Sequence, residues 1–187
     1  MPRPPSKYFG LRSSTDLYLK LLYDIGRLQT GRGTKELQYA AIDAAVTASH
    51  ILDWVLKELE PEAYLRLTGL EKGKTLPPKD RGPIMRFIEL KKETMPGINF
   101  CREIANTMKH MKLSLGSVMK GMAIGSTVKL EWTDKRITKT EAIAYVQIRP
   151  DGEKINIIDL FQQTAEQWYE FLVDEGLWKE QPPDWYE

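Results

Sequence analysis

The sequence predicts a mainly helical α+β fold: a bundle of about four helices, then a β-hairpin or small antiparallel sheet, then a C-terminal helix. Apolar residues first recur at helical spacing, then alternate as in strands, and return to helical spacing near the end. We expect a single domain over residues 1–187, because this length suits one hydrophobic core. Its predicted parts are a helical part at 11–113, a hairpin with its closing helix at 125–176, and flexible tails at 1–10 and 178–187.

The first two helices have well-defined predicted ends. Leu17 and Leu21 belong to an apolar row at helical spacing that follows a Ser-Ser-Thr-Asp start, whose side chains can cap a helix. The first helix is therefore predicted at 14–30. The second is predicted at 34–59, an alanine-rich stretch without glycine or proline that stops just before Pro61.

Two shorter helices are predicted in the middle of the chain. A loop rich in glycine, proline and charge covers residues 69–83, and apolar residues at helical spacing follow at 84–93. A Met-Pro-Gly break then precedes a further helix, predicted at 98–113. Cys101 falls in the centre of the apolar face of that helix, together with Ala105 and Met108, so we expect its thiol to be inert.

The segment after these helices is predicted to form strands. Val128, Leu130 and Trp132 alternate with charged residues, which predicts a strand, and we expect Trp132 to face inward. Two β-rich runs at 142–149 and 154–158 flank a Pro-Asp-Gly turn and predict a hairpin.

The last helix is predicted to begin with a capping box of Asp159 and Gln162 and to end at Gly176. Its apolar side consists of five residues at helical spacing: Phe161, Ala165, Trp168, Phe171 and Leu172.

Composition limits the function classes. Lys and Arg number 27 against 26 Asp and Glu, so there is no global positive field and any nucleic-acid binding has to be local. The single cysteine excludes an intramolecular disulfide framework and a multi-cysteine zinc site, which indicates a reducing compartment. The sequence contains no apolar stretch of signal-peptide or membrane-span length, so we expect a cytoplasmic protein without membrane contact or cofactor.

Two polar groups at helical spacing stand out. His50, Asp53 and Trp54 lie at i, i+3 and i+4 on the second helix, so a carboxylate and an indole flank the imidazole. This trio has a structural interpretation as well, since a half-buried histidine bonded to Asp53 is more common than a catalytic one. We consider all three as binding residues.

The second polar group lies on the helix after the Met-Pro-Gly break. Arg102, Asn106 and His110 stand at i, i+4 and i+8, with Lys109 alongside, and form one stripe. The stripe is equally explained as a solvated face. If it is functional, His110 can move protons, Arg102 and Lys109 can bind phosphate, and Asn106 can donate a hydrogen bond.

Other site chemistry has weaker signals. His50, Asp53 and His110 could together bind zinc or iron if their helices adjoin, but neither helix carries a His-x-x-x-His or Glu-x-x-His pair, and we predict no metal.

The motifs His50-Ile51-Leu52-Asp53-Trp54 and Ile104-Ala105-Asn106-Thr107-Met108-Lys109-His110 resemble those of HEPN-like helical proteins of bacteria and phages. The resemblance covers roughly residues 11–113. It implies metal-independent binding or cleavage of RNA, with Arg102, Asn106 and His110 as catalytic residues and Lys109 on phosphate. It also implies a homodimer.

A second function is left open by the same residues. The chain could be a non-catalytic interaction or antitoxin-like accessory protein in which these side chains form a structural hydrogen-bond network. The near-neutral net charge favours it, as do the seven residues between Arg102 and His110, more than is usual in the family. Trp178 and Trp185 in the predicted tail are candidates for contact with a partner or with another subunit. An open cleft favours the first function, and a closed, bonded interior favours the second.

Overall fold

The computed structural model of the chain describes residues 10–77, 80–110, 123–134, 136–147 and 154–180. These ranges contain six helices and three strands, which confirms the predicted mainly helical α+β fold. The helices are α1 (Ser14–Thr30), α2 (Thr34–Glu58), α3 (Pro61–Thr68), α4 (Pro83–Lys91), α5 (Pro96–His110) and α6 (Ile157–Asp174). The strands are β1 (Ala123–Thr133), β2 (Arg136–Gln147) and β3 (Lys154–Asn156).

Helices α1, α2, α5 and α6 surround the core, with α2 in contact with the other three. The start of α1 confirms the predicted capping oxygens, since the Ser13 hydroxyl accepts from the Asp16 N–H and the Asp16 carboxylate accepts from the Ser13 N–H. A small side chain lets a neighbouring helix approach closely. Five alanines of α2 are fully buried: Ala40, Ala41, Ala44, Ala45 and Ala48.

Helix α3 is an element that the sequence pattern did not predict. It has Pro61 in its first turn and ends at Gly69, whose φ of 66° lies in the left-handed region that glycine adopts without strain. Its two ends are thus well marked, but eight residues are too few for a clear apolar period.

The sheet is antiparallel, in the order β1-β2-β3. The pairing of β2 with β3 confirms the predicted hairpin, although its Pro-Asp-Gly turn lies outside the described residues. β1 and β2 form a longer two-stranded ribbon with a bulge between Glu131 and Trp132. Both strands of the ribbon also contact α2, and β2 contacts α6.

The apolar side of β1 is exposed where the structure describes it. Val128 and Leu130 are 57% and 41% exposed, and Ile137 on β2 is 50% exposed. Alternation predicts that a strand has an apolar face, but it does not predict whether another element covers that face. The side chain of Trp132, which was expected to face inward, lies outside the described residues.

Helix α6 has the predicted apolar side, and all five of its residues are buried. The predicted capping box at Asp159 is wrong, because the helix begins at Ile157 and its N-cap is Asn156. The Asn156 side-chain oxygen accepts from the N–H of Ile158 at 3.0 Å. Asp159 is an exposed acidic residue of the first turn, where it interacts favourably with the helix dipole.

The residues just after α6 are held against α1. The predicted flexible tail at 178–187 is therefore wrong at its first positions. The Thr15 hydroxyl donates to the carbonyl of Leu177 at 3.1 Å and accepts from the N–H of Lys179 at 3.1 Å. Trp178 stacks edge-on against Tyr18 at 5.6 Å and against Tyr169 at 5.0 Å. Trp178 is therefore part of the fold and not a free contact for a partner, whereas Trp185 lies outside the described residues.

Across the described ranges, none of the helices combines the length and the apolar composition that a membrane crossing requires.

Candidate functional site

Helix α2 presents one half-exposed stripe beside its buried alanines. Val46, Ser49, His50 and Asp53 follow one another at i, i+3, i+4 and i+7, so they lie on one side of the helix. His50 is exposed, and the other three are half-buried. This stripe points toward the neighbouring helix α5, since the same residues line a cavity with residues of that helix.

Helix α5 is amphipathic, with its apolar face in the core. Ile98, Cys101 and Ile104 are buried, whereas Arg102 and Asn106 on the other side are half-buried. Because Arg102 and Asn106 are one turn apart, both face the same side of the helix.

Two residues of α5 depart from the predicted apolar face. Ala105 is only half-buried, and Met108 is 52% exposed. Both line the cavity next to Arg102 and Asn106, so they form its apolar wall rather than part of the core.

The cavity between α2, α4 and α5 has a volume of about 530 Å³. That lies within the range of small-ligand sites in proteins. It brings together four of the seven predicted site residues: His50, Asp53, Arg102 and Asn106. The other lining residues are Val46, Ser49, Ile84, Ala105 and Met108.

The four predicted site residues that line this cavity do not bond to one another. Within the described part of the chain, the side chains of His50, Asp53, Arg102 and Asn106 take part in no hydrogen bond or ion pair. A polar group that is hydrated and unpaired can exchange its water for a ligand, whereas a bonded one first has to break its bond. The cavity therefore offers an imidazole, a carboxylate, a guanidinium and an amide to a ligand.

Trp54 is placed elsewhere. It lines a separate cavity of about 330 Å³ with Leu11, Arg12, Lys57 and Glu58, and it packs against the hydrophobic core. Successive helical residues are about 100° apart, so Asp53 and Trp54 face different neighbours. The indole is therefore not a wall of the cavity that holds His50.

Lys109 and His110 are the remaining predicted site residues. The backbone of α5 extends to His110, and the side chains of both residues lie outside the part of the chain that the structure describes. Of the predicted stripe, the structure therefore describes only the side chains of Arg102 and Asn106.

Metal binding has no ligand set in the described ranges, where no group of three or more His, Cys, Asp or Glu side chains could hold an ion. The alternative built on His50, Asp53 and His110 depends on the undescribed His110 side chain. Cys101 is fully buried, and desolvation raises the pKa of its thiol to about 12. The thiol is therefore protonated near neutral pH, as expected for a packing residue.

Sequence reasoning did not identify Ile84 as part of the site. Ile84 lies in the first turn of α4, a helix that contacts both α2 and α5. No spacing signal connects it with His50 or Arg102, because its position depends on how three helices pack. Val46 and Ser49 could have been found, since they precede His50 and Asp53 by one helical turn.

Searches of the chain against protein-family models, curated proteins and solved structures found no match. The resemblance to HEPN-like proteins therefore stays a prediction from the two motifs.

Proposed function

We propose that this chain is a HEPN-like helical protein that binds single-stranded RNA in the cavity between α2, α4 and α5 and cleaves it without a metal. The observation that supports this proposal is the convergence of His50, Asp53, Arg102 and Asn106, from two helices, on one accessible cavity with no bonds among them. A purely structural network would pair these groups with one another.

Each of these residue types has a distinct task on RNA. The guanidinium of Arg102 can bind a phosphate with two parallel hydrogen bonds, and the Asn106 amide can donate another. The Asp53 carboxylate can accept from an exocyclic amino group of a nucleobase, and the exposed His50 imidazole can accept a proton from a ribose hydroxyl. These contacts require unstacked bases, which favours single strands over duplexes.

The cleavage step that fits these residues is attack of the ribose 2′-oxygen on the adjacent phosphorus. A neutral histidine removes the 2′-OH proton, the new O–P bond forms, and the bond to the 5′-oxygen breaks as that oxygen takes up a proton. The products are a 2′,3′-cyclic phosphate and a 5′-hydroxyl end. Arg102 would stabilise the charge that develops on the phosphate oxygens. In this proposal His50 is the general base that takes the 2′-OH proton, and His110, at the end of α5, is the general acid that protonates the 5′-oxygen.

The test is incubation of the purified protein with a labelled, mixed single-stranded RNA pool in EDTA. Wild-type protein is compared with Arg102→Gln, His50→Gln and His110→Ala variants. Arg32→Gln is the matched control, because it removes one positive charge from an exposed turn that does not line the cavity.

We expect cleavage by wild type and by the control, and a loss of about a hundredfold or more in each histidine variant. Retained binding with no cleavage by any protein would limit the function to RNA binding. If neither binding nor cleavage occurs in the folded wild type, the proposal fails.

A second candidate function is that of a non-catalytic interaction or antitoxin-like protein, and the exposed apolar row on the β1–β2 ribbon favours it. Val128, Leu130 and Ile137 are all at least 41% exposed. Exposed apolar groups at a sheet face often mark contacts between chains. Sedimentation of wild type and of a Val128→Thr/Leu130→Thr variant would test whether this row makes contacts between chains.

A further inference from the structure

A second cavity, of about 600 Å³, lies on the other side of α4, next to α3. Among the described residues of its lining, four side chains are cationic and one, Glu89, is a carboxylate. The cations are Arg66, Arg81, Arg86 and Lys92. This is a local excess of positive charge in a chain whose formal net charge is +1.

Two of these cations already have a carboxylate partner. Arg66 pairs with the largely buried Glu175 at 2.6 Å, and Lys92 pairs with Glu89 at 3.1 Å. These contacts satisfy Arg66 and Lys92 without a ligand.

Arg81 and Arg86 are different. In the described part of the chain neither guanidinium pairs with a carboxylate. The Nε of Arg86 donates to the backbone carbonyl of Arg81 at 3.0 Å, which brings the two residues together and leaves the terminal nitrogens of Arg86 free to donate elsewhere. Two like charges at one cavity repel each other until an anion binds between them.

We propose that this cavity binds a phosphate group, with Arg81 and Arg86 as its ligands. A phosphate carries a charge of about −1.5 to −2 near neutral pH, which matches two unpaired guanidiniums. Arginine is also the side chain whose fork of donors fits phosphate oxygens in pairs. The phosphate group is either free, as inorganic phosphate or pyrophosphate, or part of a phosphorylated small molecule.

The lining indicates how these two sources differ. Leu90, which is 57% exposed, forms an apolar wall beside the arginines. An apolar wall adds affinity only for a ligand that carries an organic group, because free phosphate has no apolar surface to bury. A nucleoside monophosphate is therefore a suitable probe beside pyrophosphate.

This site is independent of the proposed RNA cleavage. Ile84 faces the first cavity, whereas Arg86, Glu89 and Leu90 line the second, and the helical period places these three on the opposite side of α4. Loss of one site would leave the residues of the other in place.

The experiment is calorimetric titration of the full chain with pyrophosphate and with adenosine 5′-monophosphate at low salt. The test variant is Arg81→Gln/Arg86→Gln. The control is Arg32→Gln/Lys35→Gln, which removes the same charge from exposed positions in the turn before α2 and in its first turn. Single Arg81→Gln serves as a second test variant, because that side chain is exposed and we expect its loss to leave the fold intact.

We expect wild type and control to bind at least one probe equally, and the double variant to bind it about tenfold or more weakly. Tighter binding of the monophosphate would identify a phosphorylated small molecule, and equal or tighter binding of pyrophosphate would identify free phosphate. The proposal is overturned if wild type binds neither probe, or if the double variant and the control bind alike.

Discussion

The two sides of α5 show how differently one helix can be used. On one side Gly97 and Cys101 pack against Thr164 of α6 with no space left between them. On the other side Arg102 and Asn106 face a cavity of about 530 Å³ without bonding to its other polar residues. The first side stabilises the fold and the second leaves polar groups available. Substitutions on the two sides should therefore have effects of very different size on stability.

The largest loss of stability is expected from the aromatic cluster that fixes α4 on α6. Phe87 is fully buried and lies 5.4 Å from Phe171 and 6.4 Å from Trp168, measured between ring centroids. Replacing Phe87 by Ala should lower the free energy of unfolding by about 3–5 kcal/mol, because it leaves a cavity that the neighbours cannot fill. Denaturant titration measures this loss. Phe87→Leu keeps most of the volume, and an equal loss in both variants would contradict the packing explanation.

Burial of the Cys101 thiol should protect it from alkylation. Its pKa is raised to about 12 in the folded chain, from an ordinary value of 9.0, by desolvation. At about pH 8 the thiolate fraction is then roughly a thousandfold lower than in the unfolded chain. The rate of reaction with iodoacetamide, measured with and without denaturant, reports this thiol alone, because the chain has one cysteine. Comparable rates in both conditions would place the thiol in solvent.

The same pKa difference makes the stability of the folded chain depend on pH. The folded chain retains a thiol proton that the unfolded chain loses, so the contribution to stability is constant below about pH 9 and decreases as the pH rises toward 12. Unfolding curves of wild type should show this decrease relative to Cys101→Ala, which has no thiol. If the free energies of unfolding of wild type and Cys101→Ala change in parallel with pH, this prediction is wrong.

A smaller effect is expected where α5 and α6 meet. A Cβ added at Gly97 would overlap the Thr164 hydroxyl and lie 3.1 Å from the Thr164 Cβ. Gly97→Ala should therefore destabilise the chain by about 1–3 kcal/mol, although alanine is the better helix former. Thr164→Ala in the same chain should restore part of the loss, as a double-mutant cycle would show. A more stable Gly97→Ala variant would mean that the two helices lie further apart.

The smallest effect on stability is expected on the open side of α5. Arg102→Gln and Asp53→Asn remove charges that make no bond in the described part of the chain, so each should change the free energy of unfolding by less than about 0.5 kcal/mol. Denaturant titration of both variants tests this. A loss above about 1.5 kcal/mol in either would show that these side chains hold the fold together, as the structural-network interpretation requires.

Local sequence signals predicted those helices whose ends and apolar faces are marked by particular residues. Ser13 and Asp16 mark the start of α1, and the absence of glycine and proline marks the length of α2. The five apolar residues of α6 are buried as predicted because a helix of 18 residues repeats its period several times. Helix α3 was missed because it is too short to do so. The alternation in β1 did not predict that Val128 and Leu130 are exposed, because coverage of a strand depends on distant elements.

By itself, the sequence determined which residue types lie one turn apart: His50 with Asp53, and Arg102 with Asn106. Only the tertiary structure decided that these two pairs share a cavity and that Trp54 belongs to another. The pairs are about 50 positions apart in sequence, and the helical period fixes directions only within one helix. Which side of α2 meets α5 depends instead on the packing of small and large side chains between them, and that is a property of the whole core.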